Sequence, residues 1–313
     1  MQPKNFMPRL IFQKFSPVRR AILTTLLYSD IFSFPLTKDE LWKYLISEKK
    51  IPQNEFDKNV QSLKKYIASK DGYYCLRGRE KIITQRIKQL AEVQKKVRRA
   101  CFAASKLAVI PSVLFIGITG GLAAGNVDAD DDIDFVIITK KGTLFMTRLL
   151  VLIILESLRI RRFRSQKKTA NTICTNLLFD ETVLDWFVKY NDVYTAREIA
   201  QILPLFERDA MYRRFFRTNN WIRHFLPNAS RQAFIQCNQN MGNKKNKFFI
   251  EKCILNRFTE AGSRMVQIGI MKKHQTREVL QRHMLALHPY DYRTKVLSQL
   301  RLKMREFGLL TKF

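Results

Sequence analysis

The stretch Gly117–Thr139, GITGGLAAGNVDADDDIDFVIIT, decides how this chain is read. An apolar run, Val113–Thr119, leads into Gly120–Gly121, and Asp132 and Asp134 then open a second apolar run, Phe135–Ile138. Side chains of a strand alternate faces, so both aspartates point the same way. Two neighbouring carboxylates repel each other and together suit a hard divalent cation that keeps waters and holds substrate phosphates. The glycine pair turns the chain sharply and lets backbone N–H groups approach an anion. A phosphate cradle beside a carboxylate metal site is the equipment of phosphoryl or nucleotidyl transfer.

Two commoner motifs are excluded by residue type. Gly120 to Gly125 has the glycine spacing of a P-loop, but Asn126 and Val127 stand where Lys and Ser/Thr must reach phosphate and magnesium. Asp128, Asp130 and Asp132 mimic the start of an EF-hand, yet Ile133 replaces its turn glycine and Thr139 its bidentate glutamate. A Rossmann GxGxxG is absent.

With an apolar strand, a glycine pair, a short gap and Asp-x-Asp entering a second strand, residues 100–180 resemble the nucleotidyltransferase superfamily. Its members include polymerase-beta-like enzymes, antibiotic nucleotidyltransferases and minimal nucleotidyltransferases. The resemblance implies an α+β fold, a nucleotidyltransferase-type mixed sheet flanked by helices. It implies Mg2+ held by Asp132 and Asp134, the catalytic pair, and the β- and γ-phosphates of an NTP at Gly120 and Gly121. The reaction it implies moves a nucleoside monophosphate from NTP to a hydroxyl of a nucleic-acid or protein acceptor. Two alternatives stand beside it: a catalytically weak, nucleotide-sensing, nucleic-acid-binding regulator, and a small-molecule (antibiotic-type) nucleotidyltransferase. The family's third carboxylate sits on the third strand. Here Thr172, Cys174 and Asn176 share one face and Ile173, Thr175 and Leu177 the other, with no acid before Asp180 and Glu181. Asn176 and Asp180 are the candidate third-ligand positions, and slow catalysis is the expectation.

The surrounding chain reads as three parts: 1–88, 89–190 and 191–313. In the first, Ser16 caps a helix with Pro17 in its first turn and Ile22, Leu23, Leu26 and Leu27 inward. Thr37 and Glu40 form a capping box for a second helix. Phe56, Val60, Leu63 and Ile67 space a third. Asp71–Gly72 marks a hairpin turn. The order resembles a winged helix, which would offer Lys58, Lys64 and Lys65 of the third helix to a major groove. A long basic helix over 80–107 follows, with Ile83, Ile87, Leu90, Val93 and Val97 as its stripe and Lys95, Lys96, Arg98 and Arg99 as its polar side. Thr143 is placed as the cap of a helix containing the buried-looking run Leu149–Leu155. The run RIRRFRSQKK crowds Arg159, Arg161, Arg162, Arg164, Lys167 and Lys168 before the third strand, as a grip for polynucleotide or triphosphate. Beyond Asp180 the pattern reads as helical, with Pro204 between two helices, a polar loop at 242–247 and a turn at His288–Pro289.

Composition sets outer limits. Hydrophobic residues make up 46% of 313, enough for a core and too many for global disorder. The net charge of +29 favours polyanions through counterion release, hence the nucleic-acid expectation. Five scattered cysteines without CxxC argue against a disulfide framework or a zinc ribbon and fit a reducing cytosol. Neither a signal peptide nor a membrane span is expected.

Overall fold

The computed structural model describes residues 15–163, 169–237, 257–273, 279–287 and 292–309. Helix α1 (Pro17–Asp30) starts where Ser16 Oγ accepts the Arg19 N–H at 3.4 Å. The capping box opens α2 (Lys38–Lys43): Glu40 N–H donates to Thr37 Oγ1 at 3.2 Å, and Thr37 N–H donates to Glu40 Oε2 at 2.7 Å. Helix α3 (Gln53–Ser62) buries Phe56 and Val60 and leaves its other face to solvent. It ends sooner than its apolar spacing suggests. Ile67 opens strand β2 (Ile67–Lys70), and Lys64 and Lys65 lie in the turn between, not on the helix. The i+11 residue is buried because the hairpin folds back over the same core, not because the helix continues. Asp71 and Gly72, with φ of 51° and 80°, reverse the chain into β3 (Tyr73–Leu76). Strand β1 (Leu36–Thr37) pairs with β3, giving the order β1-β3-β2.

Helix α4 (Lys81–Leu107) runs unbroken from this module into the central sheet. Its buried face follows the expected stripe only in part: Ile83 is buried and Val93 and Val97 pack on the core, but Ile87 and Leu90 are exposed, while Arg86, Gln89 and Lys96 are buried. The reason is what the helix crosses. Halfway along, it packs on a loop rich in backbone carbonyls and carboxylates rather than on a hydrophobic sheet, and polar side chains serve that surface better.

The second sheet is mixed. Strands β4 (Val113–Ile118), β5 (Ile133–Thr139) and β6 (Ile173–Asp180) form its centre, with β4–β5 antiparallel and β5–β6 parallel. Helix α5 (Gly120–Ala124) follows β4, and α6 (Leu144–Ser157) makes the crossover from β5 to β6. The part expected to be helical adds three strands. They are β7 (Leu203–Glu207) between α7 (Val193–Gln201) and α8 (Met211–Thr218), then β8 (Val279–Leu280) and β9 (Met284–Ala286) between α9 (Arg257–Lys272) and α10 (Tyr292–Glu306). The order is β7-β4-β5-β6-β9-β8. Pro204 therefore sits in a strand, and β7 tolerates it because it is the edge. Strands of two and three residues are too short for an alternating pattern to betray them. The loop expected at 242–247 and the turn at His288–Pro289 lie outside the described residues.

One sheet face packs Ile116, Phe135, Ile137 and Leu178 on the alanines of α4 and on α6. The other packs Phe115, Val136, Ile138 and Phe179 on α7, α8, α10 and the N-terminal helices, in a single cluster running from Val18 to Leu309. Helix α6 buries Val151 and Leu155 but exposes Leu149 and Ile153, so it is half-buried rather than buried. Thr143 is its N-cap residue but makes no side-chain capping bond. Glu260 of α9 accepts the Phe145 and Met146 N–H groups, each at 2.8 Å. Cys101 of α4 is disulfide-bonded to Cys237, with Cα atoms 5.2 Å apart, a single bond rather than a framework but one that a reducing cytosol does not favour; Cys75 and Cys174 are free. A lone pair separated by 136 residues leaves no local spacing to read. No described helix is long and apolar enough to cross a membrane.

Candidate functional site

Strand β5 alternates, and Asp134 shares the face of Val136 and Ile138, toward the N-terminal helices. Its carboxylate packs against the turn after β4: a Cβ on Gly120 would lie 2.7 Å from Asp134 Oδ2, and Gly120 has a φ of +65°. A Cβ on Gly121 would meet the Asn126 carbonyl oxygen, also at 2.7 Å. Both glycines are thus required by close approach, and the Gly120 requirement ties the turn directly to the acid.

Ligand atoms of Asp132, Asp134 and Cys174 lie within 4.8 Å of one another. Arg162 Nη1 donates to Asp132 Oδ2 at 2.6 Å and lies 3.4 Å from Cys174 Sγ. The Cys174 thiol donates to Asn176 Oδ1 at 2.6 Å, and Asn176 Nδ2 donates to Asp134 Oδ1. Burial, and then the neighbouring Asp132 charge, push the Asp134 carboxyl up to about 7. Burial and then Asp134 push the Cys174 thiol up to about 12, so it stays neutral. A neutral thiol is a poor ligand for a hard cation. The donors that remain, the two carboxylates, suit one Mg2+-like ion with waters completing its shell.

The loop before Asp132 is held from beneath. Lys96 of α4, fully buried, donates from Nζ to the Ala129 carbonyl at 3.1 Å and to the Asp131 carbonyl at 2.6 Å. One helical repeat earlier, Gln89 Nε2 donates to Asp128 Oδ1 at 2.8 Å. Lys96 was expected on the solvent side. It is a ligand of the loop instead, and burial lowers the pKa of its ammonium.

The structure sorts the remaining candidates. Asn176 reaches the site from β6. Asp180 does not: it pairs with Thr139 while Cys174 pairs with Asp134, five strand positions or about 17 Å away. Asp180 is fully buried and bound to His283 Nδ1 at 2.7 Å, to the Gly142 N–H at 3.2 Å and to Thr182. Leu177 was expected on the face opposite Asn176. A register shift between Asp134 and Val136 brings it opposite Val136, and it lines the same cleft as Asp134. Of the basic run, Arg162 alone among the described members joins the site. Arg161 pairs with Glu156 at 3.5 Å and stacks on Phe163, and Arg159 is exposed beyond α6. Arg164, Lys167 and Lys168 lie outside the described residues. Lys64 and Lys65 are exposed on the N-terminal module and outside the lining of the cleft.

Asp134, Thr119, Gly120 and Gly121 form one wall of a cleft of about 690 Å³. Helix α7 supplies a second wall with Tyr194, Arg197 and Glu198, and α1 with the turn after it supplies a third with Tyr28, Phe32 and Phe34. Glu198 Oε1 accepts from Gln201 Nε2 at 2.9 Å, Gln201 Oε1 accepts from Arg197 Nε at 3.3 Å, and the Arg197 guanidinium lies 3.6 Å over the Tyr44 ring. Burial holds the Glu198 carboxyl up to about 7. Sequence reading passed over Lys96, Cys174 and Glu198. The first is masked by its charge, the second lacks a motif, and the third stands on a helix far along the chain that only tertiary packing brings to the sheet.

Comparison of the chain with family models, with curated proteins and with solved structures finds no match.

Proposed function

We propose that this chain is a Mg2+-dependent nucleotidyltransferase that moves a nucleoside monophosphate from an NTP to a hydroxyl and releases pyrophosphate. The observation that carries the reading is the packing of Asp134 against Gly120 on the wall of a cleft, with Asp132 beside it. A buried carboxyl pushed up to about 7 gains by meeting a cation, and the pair offers oxygen donors of the right hardness. In this reading Asp132 and Asp134 hold the ion, and Asn176 stands in the position of the family's acid with its amide nitrogen turned toward Asp134. The ion supplies charge stabilisation on the phosphoryl oxygens. Gly120 and Gly121 bring backbone close to the triphosphate, and Arg162 is the side chain placed to share phosphate charge once Asp132 turns to the ion. Lys96 keeps the acidic loop in register. Residues 16–80 are read as a winged-helix-like module, its wing the β2–β3 hairpin and its exposed helix face that of α3. A cytoplasmic setting remains part of this reading.

The test is titration of the full chain with Mn2+ and with each NTP, followed by incubation with Mg2+ and α-phosphate-labelled NTPs. Tight, Asp134-dependent binding of metal and nucleotide is expected. A chain in which Asp134→Asn changes neither titration would end the reading. The exposed face of α3 favours the second reading, a nucleotide-sensing regulator that binds nucleic acid. That reading gains if binding is intact and no product of any kind is labelled.

A further inference from the structure

The large positive charge draws attention to nucleic acid, but the charge is not in the cleft. Among the described residues the only cations lining it are Arg197 and Arg293. Arg197 is committed to the Tyr44 ring and to Gln201, and Arg293 to Asp192. The exposed lysines at 58, 64, 65 and 70 stand on another part of the surface. Among the described lining residues no cation is free to meet the phosphates of a polynucleotide strand entering this cleft, and Arg162, at Asp132, lies outside that lining. What the cleft does offer is ring surface: Phe32, Phe34, Phe187, Tyr190, Tyr194 and Tyr292 line it from separate segments. Its volume, about 690 Å³, is that of a pocket that encloses a small organic molecule.

The carboxylates complete the pattern. Asp134 and Glu198 are the only acids among the lining residues, and they come from different walls, β5 and α7. Glu198 makes no ion pair among the described residues and accepts from the Gln201 amide. It is close enough to Asp134 for its charge to raise the Asp134 carboxyl further. A carboxyl that burial holds near neutrality is matched to accept a proton at physiological pH.

We propose that this cleft is the acceptor site, that the acceptor is a small molecule with a flat, largely apolar body, and that its hydroxyl lies between Asp134 and Glu198. The inference rests on the nucleotidyltransferase reading and deepens it by naming the acceptor class and the base. In the step, the acceptor O–H gives its proton to a Glu198 carboxylate oxygen, and the acceptor oxygen forms a bond to the α-phosphorus of the NTP. The bond from that phosphorus to the bridging oxygen breaks, and pyrophosphate leaves with the electron pair. Glu198 thus takes up the general-base work that β6, lacking an acid near Asp134, cannot do.

The experiment incubates the full-length protein with Mg2+ and α-phosphate-labelled NTPs against three fractions of one cell extract: small molecules, nucleic acids and proteins. Label is expected in the small-molecule fraction. Glu198→Gln should lower its rate about 100-fold with Mn2+ and NTP binding unchanged. Phe32→Ala, at a residue already 40% exposed, should raise the acceptor concentration needed and leave the NTP requirement as it was. Label confined to nucleic acid or protein would overturn the acceptor class while leaving the transferase reading standing. A Glu198→Gln protein working at the wild-type rate would overturn the role of that residue. No label in any fraction, with metal and nucleotide binding intact, would overturn the acceptor site altogether. Loss of Asp134-dependent binding would bring down the transferase reading itself.

Discussion

Strands β5 and β6 carry an acid at each end, one fully buried and one half-buried, and the two ends are built differently. At one end Asp180 is fully buried and surrounded by donors: His283 Nδ1, the Gly142 and Thr182 N–H groups and the Thr182 hydroxyl. At the other, Asp134 faces Asp132 and a neutral thiol, with the Asn176 amide as its one side-chain donor among the described residues. The first acid completes a network and its carboxylate holds strand ends together. The second is left short of donors on the wall of a cleft, and its carboxyl is pushed up to about 7. Burial alone therefore does not mark a functional acid; unmet demand for positive charge beside open space does.

That comparison can be broken most directly at Asp180. Asp180→Ala strands His283 and two backbone donors and should cost about 3–5 kcal/mol of stability, read by denaturant unfolding. Metal and NTP affinity of the folded protein should not change. A fall in affinity as large as the fall in stability would mean that the two ends are one site.

At Asp134 the signs should reverse. Asp134→Asn removes a repelled, desolvated charge, so metal and nucleotide binding should be lost while the melting temperature at pH 8 without divalent cations rises by about 2 °C or more. The pH dependence follows from the carboxyl's rise from 3.8 to about 7. Between those values the unfolded chain has lost this proton and the folded chain keeps it. This group's contribution to stability therefore falls as pH rises from about 4 to about 7 and is level above that. Glu198 contributes a slope of the same sign between 4.5 and about 7. Melting curves across this range, for the wild type and for each amide variant, should divide the slope between the two. A wild-type curve that stays flat or rises would place Asp134 among satisfied acids like Asp180.

Lys96→Met tests how the acidic loop is held. Two carbonyls lose their donor, which should cost about 1–3 kcal/mol and weaken Mn2+ binding by about tenfold. Unchanged metal affinity in a destabilised protein would confine Lys96 to packing. The smallest effect is expected at Lys64 and Lys65. Changing both to Ala should alter stability by less than about 0.5 kcal/mol, leave transfer intact and reduce the salt slope of any polynucleotide binding by about 2. An effect on transfer would join the N-terminal module to the reaction.

How far the chain could be read without coordinates depended on range. The Thr37–Glu40 capping box and the Asp71–Gly72 turn are local devices, set by neighbours within a few residues, and each stands where its residues place it; of the two aspartates Asp134 lies in β5 and Asp132 just before it. The face of α4 was misread because a lysine counts as solvent-facing in any hydrophobic pattern. Lys96 is buried only because the carbonyls of Ala129 and Asp131 lie across from it. The basic run was read as a unit, yet among its described members Arg162 alone has an acid of the site opposite it, while Arg161 turns to Glu156.

By itself the sequence determined the capped helices and the hairpin turn and set Asp132 and Asp134 close together where β5 begins, since backbone sterics act over a few residues. Tertiary structure alone decided that β7, β8 and β9 join the sheet and that Cys101 meets Cys237. It also decided that Glu198 of α7 faces the same cleft as Asp134 of β5. Those pairings join residues tens to hundreds of positions apart. What selects them is the burial of one apolar cluster from Val18 to Leu309, a property of the packed whole that no local pattern carries.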